Sequence, residues 1–182
     1  IHIVACGTAM HAGLIGKTLI ERFARVPTEV CIASEFRYRD PILKENELVL
    51  LLSQSGETAD TLAALRHAKK VGTPTLAIVN VIGSSVAREA DCVLYTLAGP
   101  EIAVASTKAY SVQCALLTLI AVDLALKRGK MGENEARALT ETLLKKVPEA
   151  VGKVIGMSEE IKALADEFTD TAHLFYIGRG ID

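Results

Sequence analysis

At 182 residues, half of them hydrophobic, the chain is long enough for one large domain or for one domain with an appendage. Its 20 Lys+Arg are balanced by 22 Asp+Glu, and it has no basic block or aromatic–basic stripe, so nucleic acid is not an expected partner. No apolar run reaches the roughly 18 residues of a transmembrane helix, because Cys114–Val122 is broken by Thr118 and followed by Asp123; no membrane partner is expected.

The pattern alternates along the chain. Ile1–Cys6 is a short apolar strand closed by a Gly7-Thr8 turn, and from about Ala9 to Arg25 the residues Ile15, Leu19 and Phe23 fall at helical spacing. Pro27 precedes a second strand, Glu29–Ala33, and a polar, charged connection runs from Glu35 to Glu47. The strand Leu48–Leu52 leads to a helix over Ala59–Val71 with Leu62, Leu65 and Ala68 on one face, stopped by Gly72-Thr73-Pro74. Thr75–Asn80 is a strand, Gly83–Glu89 a short helix and Cys92–Leu97 a further strand. Near-continuous apolar strands alternating with helices predict a parallel sheet covered on both faces. Ligands of such sheets bind beyond the carboxyl ends of the strands, where the Gly7-Thr8 and Ser53–Thr58 turns share one crevice.

From Ser106 the chain turns helical. Ser106–Lys127 is apolar nearly all round and is expected to be buried against the sheet or a partner subunit. Glu135–Val147 and Ser158–Phe168 are amphipathic, with Leu139, Leu143, Leu144 and Val147 on one and Ile161, Leu164 and Phe168 on the other; Pro148 and Gly156 punctuate between them. His173–Ile177 returns to strand character before Gly178-Arg179-Gly180, a turn like Ala5-Cys6-Gly7. The expected division is a domain over 1–170 and, over 171–182, the opening strand of a second copy of the same unit.

The chemistry concentrates in Leu52-Ser53-Gln54-Ser55-Gly56-Glu57-Thr58. An apolar strand empties into hydroxyls around one glycine, and a helix starts there with unpaired N–H groups and the positive end of its dipole. That arrangement suits a phosphate monoester; it is also the pattern of a plain helix cap. The chain has no Walker-type Gly-x-x-x-x-Gly-Lys-Ser/Thr, so a nucleoside triphosphate with its metal is not indicated, and the absence of Gly-x-Gly-x-x-Gly after the first strand argues against a dinucleotide. Glu57 reads as an acid complementing the helix dipole. Lys108, near a helix start, points to an anionic neighbour such as Glu101. Glu35 and Arg37 are either an interdomain contact or a solvated pair. Cys6, Cys31, Cys92 and Cys114 form no Cys-x-x-Cys pair and read as buried, reduced thiols of a cytoplasmic protein. His2, His11, His67 and His173 show no ligand spacing, so neither a metal nor another cofactor is expected, and His11 and His67 read as surface residues.

Ala5-Cys6-Gly7-Thr8, Ala33-Ser34-Glu35-Phe36-Arg37-Tyr38, Leu52–Thr61 and Glu101–Ala109 together resemble, in order and spacing, the isomerase part of the glucosamine-6-phosphate synthase family. Ser-x-Ser-Gly alone would indicate only the wider class of sugar isomerase (SIS) domains. The resemblance covers the whole chain. It implies an α/β SIS fold, a flavodoxin-like three-layer sandwich with a five-stranded parallel sheet and helices on both faces. Carried onto this sequence, it makes Ser53, Gln54, Ser55 and Thr58 the phosphate-binding loop, with Thr8 and Val104 against the sugar and Gly7, Gly56 and Ser106 in support. Ala9 stands where some relatives have a serine that also reaches the phosphate.

The implied ligands are fructose-6-phosphate and glucosamine-6-phosphate, and the implied partners are a second SIS domain, a glutaminase domain and a second copy in a homodimer. In that family the catalytic glutamate, the ring-opening histidine and the imine-forming lysine belong to the second SIS domain and the tail, outside this sequence. The chain is therefore expected to bind the phosphosugar without turning it over. The competing reading is a non-catalytic SIS module that senses phosphosugars for a regulator.

Overall fold

The computed structural model describes residues 1–103 and 106–178. All five strands are parallel: β1 (His2–Ala5), β2 (Glu29–Ile32), β3 (Val49–Ser53), β4 (Thr75–Val79) and β5 (Cys92–Tyr95) pair in the order β2-β1-β3-β4-β5. The register sets His2 beside Glu29 and Val49, and Val49 beside Thr75. Every residue of β3 is buried, as a central strand covered on two faces requires. The chain reverses its order of travel between β1 and β3, so the switch point lies at their carboxyl ends.

The residues Ile1–Glu133 form one compact unit. On one face of the sheet α1 (Gly7–Leu19) and α5 (Thr107–Lys127) pack around Ile3, Ala5, Leu50, Leu52, Ile78 and Leu117. On the other, α2 (Ala33–Arg39), α3 (Ala59–Lys70) and α4 (Ser85–Glu89) close over Val4, Val49, Leu51, Ala77 and Val79. Helix α1 lies close on the sheet because Gly13 has no side chain; a Cβ there would stand 2.9 Å from Ile3 Cγ2. It ends in a π-helical turn, Ile20–Ala24.

Several expectations shift. The stretch read as a polar connection from Glu35 begins inside helix α2, whose seven residues offer only Ala33 and Phe36 to the core, too few for a periodic signal. The 21-residue α5 is, by length and composition, apolar enough to cross a membrane, contrary to the reading of its apolar runs. Its Ala109, Gln113, Leu117 and Ala121 are buried in this unit, and a buried helix of a globular core meets the same compositional test. Cys92 is exposed on edge strand β5, not buried, whereas Cys31 is buried; all four cysteines are free.

The second unit, Asn134–Asp182, is helical. Helix α6 (Glu133–Glu141) continues through a π-helical turn, Thr142–Lys146, into α7 (Val147–Gly156), and α8 (Ser158–Asp166) follows. Pro148 therefore does not end a helix: it sits at the first turn of α7 just after the widened π turn, where its missing N–H is tolerated. The apolar faces of these helices stay open, with Leu144, Ile161, Leu164 and Phe168 each about half exposed. Residues 173–178 carry no strand, since a strand needs a neighbour for its backbone groups and none is offered among the described residues.

Candidate functional site

Three helices begin at the same place. Helix α1 starts at Gly7 (φ 57°), where the left-handed backbone turns the chain sharply out of β1; its N-cap residue Cys6 makes no side-chain capping bond. Helix α3 starts after Thr58, which likewise makes none. Helix α5 starts after Ser106, whose Oγ accepts from the N–H of Ala109 at 3.1 Å. A cavity of about 510 Å³ opens among these three starts, lined by Gly7, Thr8, Ser53, Gln54, Ser55, Thr58, Ser106 and Gln113. The positive ends of three helix dipoles point to one crevice at the switch point, which favours an anion.

The Ser53–Thr58 loop is organised by its own hydroxyls. Ser53 is almost fully buried; its Oγ accepts from the N–H of Gly56 at 2.9 Å and lies 3.3 Å from Thr58 Oγ1. Ser55 Oγ accepts from the N–H of Glu57 at 3.2 Å. Neither serine nor Thr58 caps α3, so the helix-cap reading of this motif does not describe the geometry. Gly56 (φ 65°) supports the loop from behind, since a Cβ there would collide with the Ser84 hydroxyl and stand 2.6 Å from its Cβ. The carbonyl of Gln54 accepts from Asn80 and that of Gly56 from Val86, tying the loop to the end of β4 and to α4.

Glu57 does not serve the helix that follows it. Its Oε1 accepts from the N–H of Ser85 at 2.7 Å, at the start of α4, and that contact with Ser85 holds its carboxyl below the usual range. Glu101 is not paired with Lys108: it takes the hydroxyl of Ser106 and the N–H groups of Ile102 and Ala103, and the Ser106 hydroxyl, first among these, lowers its pKa. Lys108 donates to the carbonyl of Pro100. Glu101 thus fastens the loop that enters α5. Arg37 pairs with Asp60 of α3 at 3.2 Å and lies over the Tyr38 ring. His67 stands edge-on to the buried Phe36 rather than free at the surface. His11 is exposed and borders a neighbouring cavity with Thr8, Ser106 and Tyr110.

Of the residues the sequence nominated, Thr8, Ser53, Gln54, Ser55, Thr58, Gly7 and Ser106 line one cavity, and Gly56 braces it. Val104 lies outside the described residues. Gln113 was missed; the signal available was a lone glutamine in an otherwise apolar four-residue stripe. The sequence also gave no hint that His2, Glu29 and Cys31 bring possible ligand atoms within 4.8 Å of one another at the opposite end of the sheet. Arg39 occupies that cluster, donating to Glu29 Oε1 at 3.1 Å and contacting Cys31 Sγ at 3.3 Å, so a guanidinium already neutralises the donors a metal would use. Burial, before any charge effect, raises the Cys31 pKa, keeping it a thiol.

A switch-point cavity at the carboxyl ends of a 2-1-3-4-5 parallel sheet, ringed by hydroxyls, defines a sugar isomerase type of domain. The chain matches the SIS domain model over residues 1–123 and belongs to that family. Over all 182 residues it is 57% identical to the isomerizing glutamine–fructose-6-phosphate aminotransferase of Caldanaerobacter subterraneus subsp. tengcongensis. It is 52% identical to the enzyme of the same name from Clostridium tetani. In both cases the chain spans 30% of the relative's length. Among solved structures, the C-terminal domain of glucosamine-fructose-6-phosphate aminotransferase from Francisella tularensis superposes with a TM-score of 0.93 at 40% identity, covering 98% of this chain and 51% of that one. A glucosamine-6-phosphate deaminase from Thermotoga maritima follows at a TM-score of 0.65 and 26% identity, over 78% of this chain and 44% of that one. The resemblance read from the motifs and the fold it implied are both borne out.

Proposed function

We propose that this chain is the phosphosugar-binding half of an isomerising aminotransferase module, holding fructose-6-phosphate or its amino-sugar product by the phosphate. The observation that carries the reading is the Ser53–Thr58 loop at one wall of a cavity onto which three helix starts converge. Phosphate oxygens only accept hydrogen bonds. The hydroxyls of Ser53, Ser55 and Thr58 can turn to donate, and the first N–H groups of α3 meet no capping side chain. Thr8 and Ser106 stand across the cavity, where the sugar carbons extend, and the backbone at Val104 is assigned to the sugar hydroxyls. The similarity to proteins named as isomerizing aminotransferases favours this substrate over other phosphosugars.

The proton transfers and amine capture are assigned to residues outside this sequence, and the stretch 171–182 to the opening strand of a second SIS domain. A homodimer and a cytoplasmic location belong to the same reading. Four or so contacts at about 1.5–3 kcal/mol each for charge-assisted bonds, set against at least about 4 kcal/mol for association, predict a Kd of roughly 0.1–10 mM. Calorimetric titration with fructose-6-phosphate, fructose and inorganic phosphate tests the reading. The phosphosugar should bind, fructose should not, and Ser55→Ala should weaken binding at least about tenfold. Equal binding of fructose, or an unchanged Ser55→Ala, would refute it.

A further inference from the structure

Helix α5 buries one stripe at four-residue spacing: Ala109, Gln113, Leu117, Ala121 and Ala125. Four of these five are apolar. Gln113 is only 2% exposed, yet it carries a primary amide with two donors and an acceptor. It lines the same cavity as Thr8, Ser53 and Ser106. Among the described residues, none of the side-chain hydrogen bonds made by this helix engages it. Burying an amide without a partner is unfavourable, and a packing role in this stripe would be met better by leucine or methionine.

The two sides of the cavity differ in chemistry. The Ser53–Thr58 side presents groups that donate, which suits a phosphate. Gln113 lies seven residues beyond Ser106, about 10 Å along the helix axis, and offers a neutral group that both donates and accepts. That suits a hydroxyl, which does the same, and it gives an anion no advantage over the serines.

We propose that Gln113 is a specificity-determining residue of this site: its amide hydrogen-bonds a hydroxyl of the sugar moiety and leaves the phosphate to the Ser53–Thr58 loop. The inference rests on the phosphosugar reading above and names what recognises the sugar rather than the anion. A structural amide holding the loops in place would affect every ligand alike; a hydroxyl-reading amide affects only ligands with a sugar.

The test uses Gln113→Met, close in shape and free of the amide, with Gln113→Leu as a second variant. Calorimetric affinities for fructose-6-phosphate and inorganic phosphate are measured on each, together with Tm. In the wild-type chain, the Gln113 side-chain N–H resonances are followed by NMR during both titrations. The expected result is a five- to tenfold weaker affinity for fructose-6-phosphate, an affinity for phosphate unchanged within about twofold, and a Tm that holds or rises. The amide resonances should move with fructose-6-phosphate and stay in place with phosphate. Equal losses for both ligands, or no loss for either with silent amide resonances, would overturn the inference while leaving the phosphosugar reading standing. A wild-type chain that binds neither ligand would overturn both.

Discussion

Replacing Gly56 with alanine is the most direct probe of how the anion-binding loop is held. Gly56 has φ 65°, and a left-handed backbone costs an L-residue about 1–2 kcal/mol. Its new Cβ would also run into the Ser84 side chain, 2.6 Å from Ser84 Cβ and closer still to the hydroxyl, in a buried spot. Overpacking of that kind costs about 1–3 kcal/mol, so Gly56→Ala should lose about 2–5 kcal/mol in all. Ser84 makes the two contributions separable. Its hydroxyl is buried without a partner and its side chain makes no cap bond for α4, so Ser84→Gly alone should cost only a few tenths of a kcal/mol. In the double variant the nearest remaining atom is Val79 Cγ1 at 3.4 Å, an ordinary contact. It should regain the steric part and keep the backbone part. Urea unfolding followed by circular dichroism reads this directly: with a slope of about 2 kcal/mol per M, a loss of 3 kcal/mol lowers the midpoint by about 1.5 M. A loss below about 1 kcal/mol for Gly56→Ala, or strict additivity with Ser84→Gly, would refute the reasoning.

Three further outcomes follow from the same contacts. Ser53→Ala removes the acceptor of the buried Gly56 N–H and should destabilise by about 1–3 kcal/mol, whereas Ser55→Ala, half-exposed, should cost less than about 1 kcal/mol in the same urea assay. Leu117→Ala empties a fully buried position in α5 and should cost about 2–5 kcal/mol; a Tm within a degree of the wild type would contradict that packing. Asp91 accepts from Lys69 Nζ and from the hydroxyl and N–H of Thr75, and Lys69, the largest influence, holds its pKa below the ordinary 3.8. A folded-state pKa below the unfolded one means that its stabilisation is complete above about pH 4 and is lost as the pH falls through the folded value. Acid titration of Asp91→Asn should therefore show a shallower loss of stability below pH 4 than the wild type; parallel curves would remove Asp91 from the account.

Much of this protein was written locally. The apolar runs at Leu48–Leu52 and Thr75–Asn80, the helical spacing of Leu62, Leu65 and Ala68, and the hydroxyl-rich turn after Leu52 all lie within stretches of about a dozen residues. Propensity and period act over that range, and there the strands and helices agree with the pattern to within a few residues. Helix α2 escaped because seven residues with two buried positions carry no period; packing of Phe36 on the sheet makes that segment helical. Cys92 escaped for the opposite reason: its apolar neighbours signal a strand, but only the pairing order puts that strand at an edge.

What the tertiary structure alone decided is which ends meet. The order β2-β1-β3-β4-β5 sets the turns after β1 and β3 side by side and folds the start of α5 over them, joining residues nearly a hundred positions apart in one cavity. The same convergence hands Glu57 to α4 instead of α3, gives Glu101 to Ser106 instead of Lys108, and brings Gln113 to the cavity wall. Short-range patterns determine elements, because each depends on a residue's immediate neighbours. The partners of a side chain at an element's end depend on strand order and register, which no local stretch of the sequence contains.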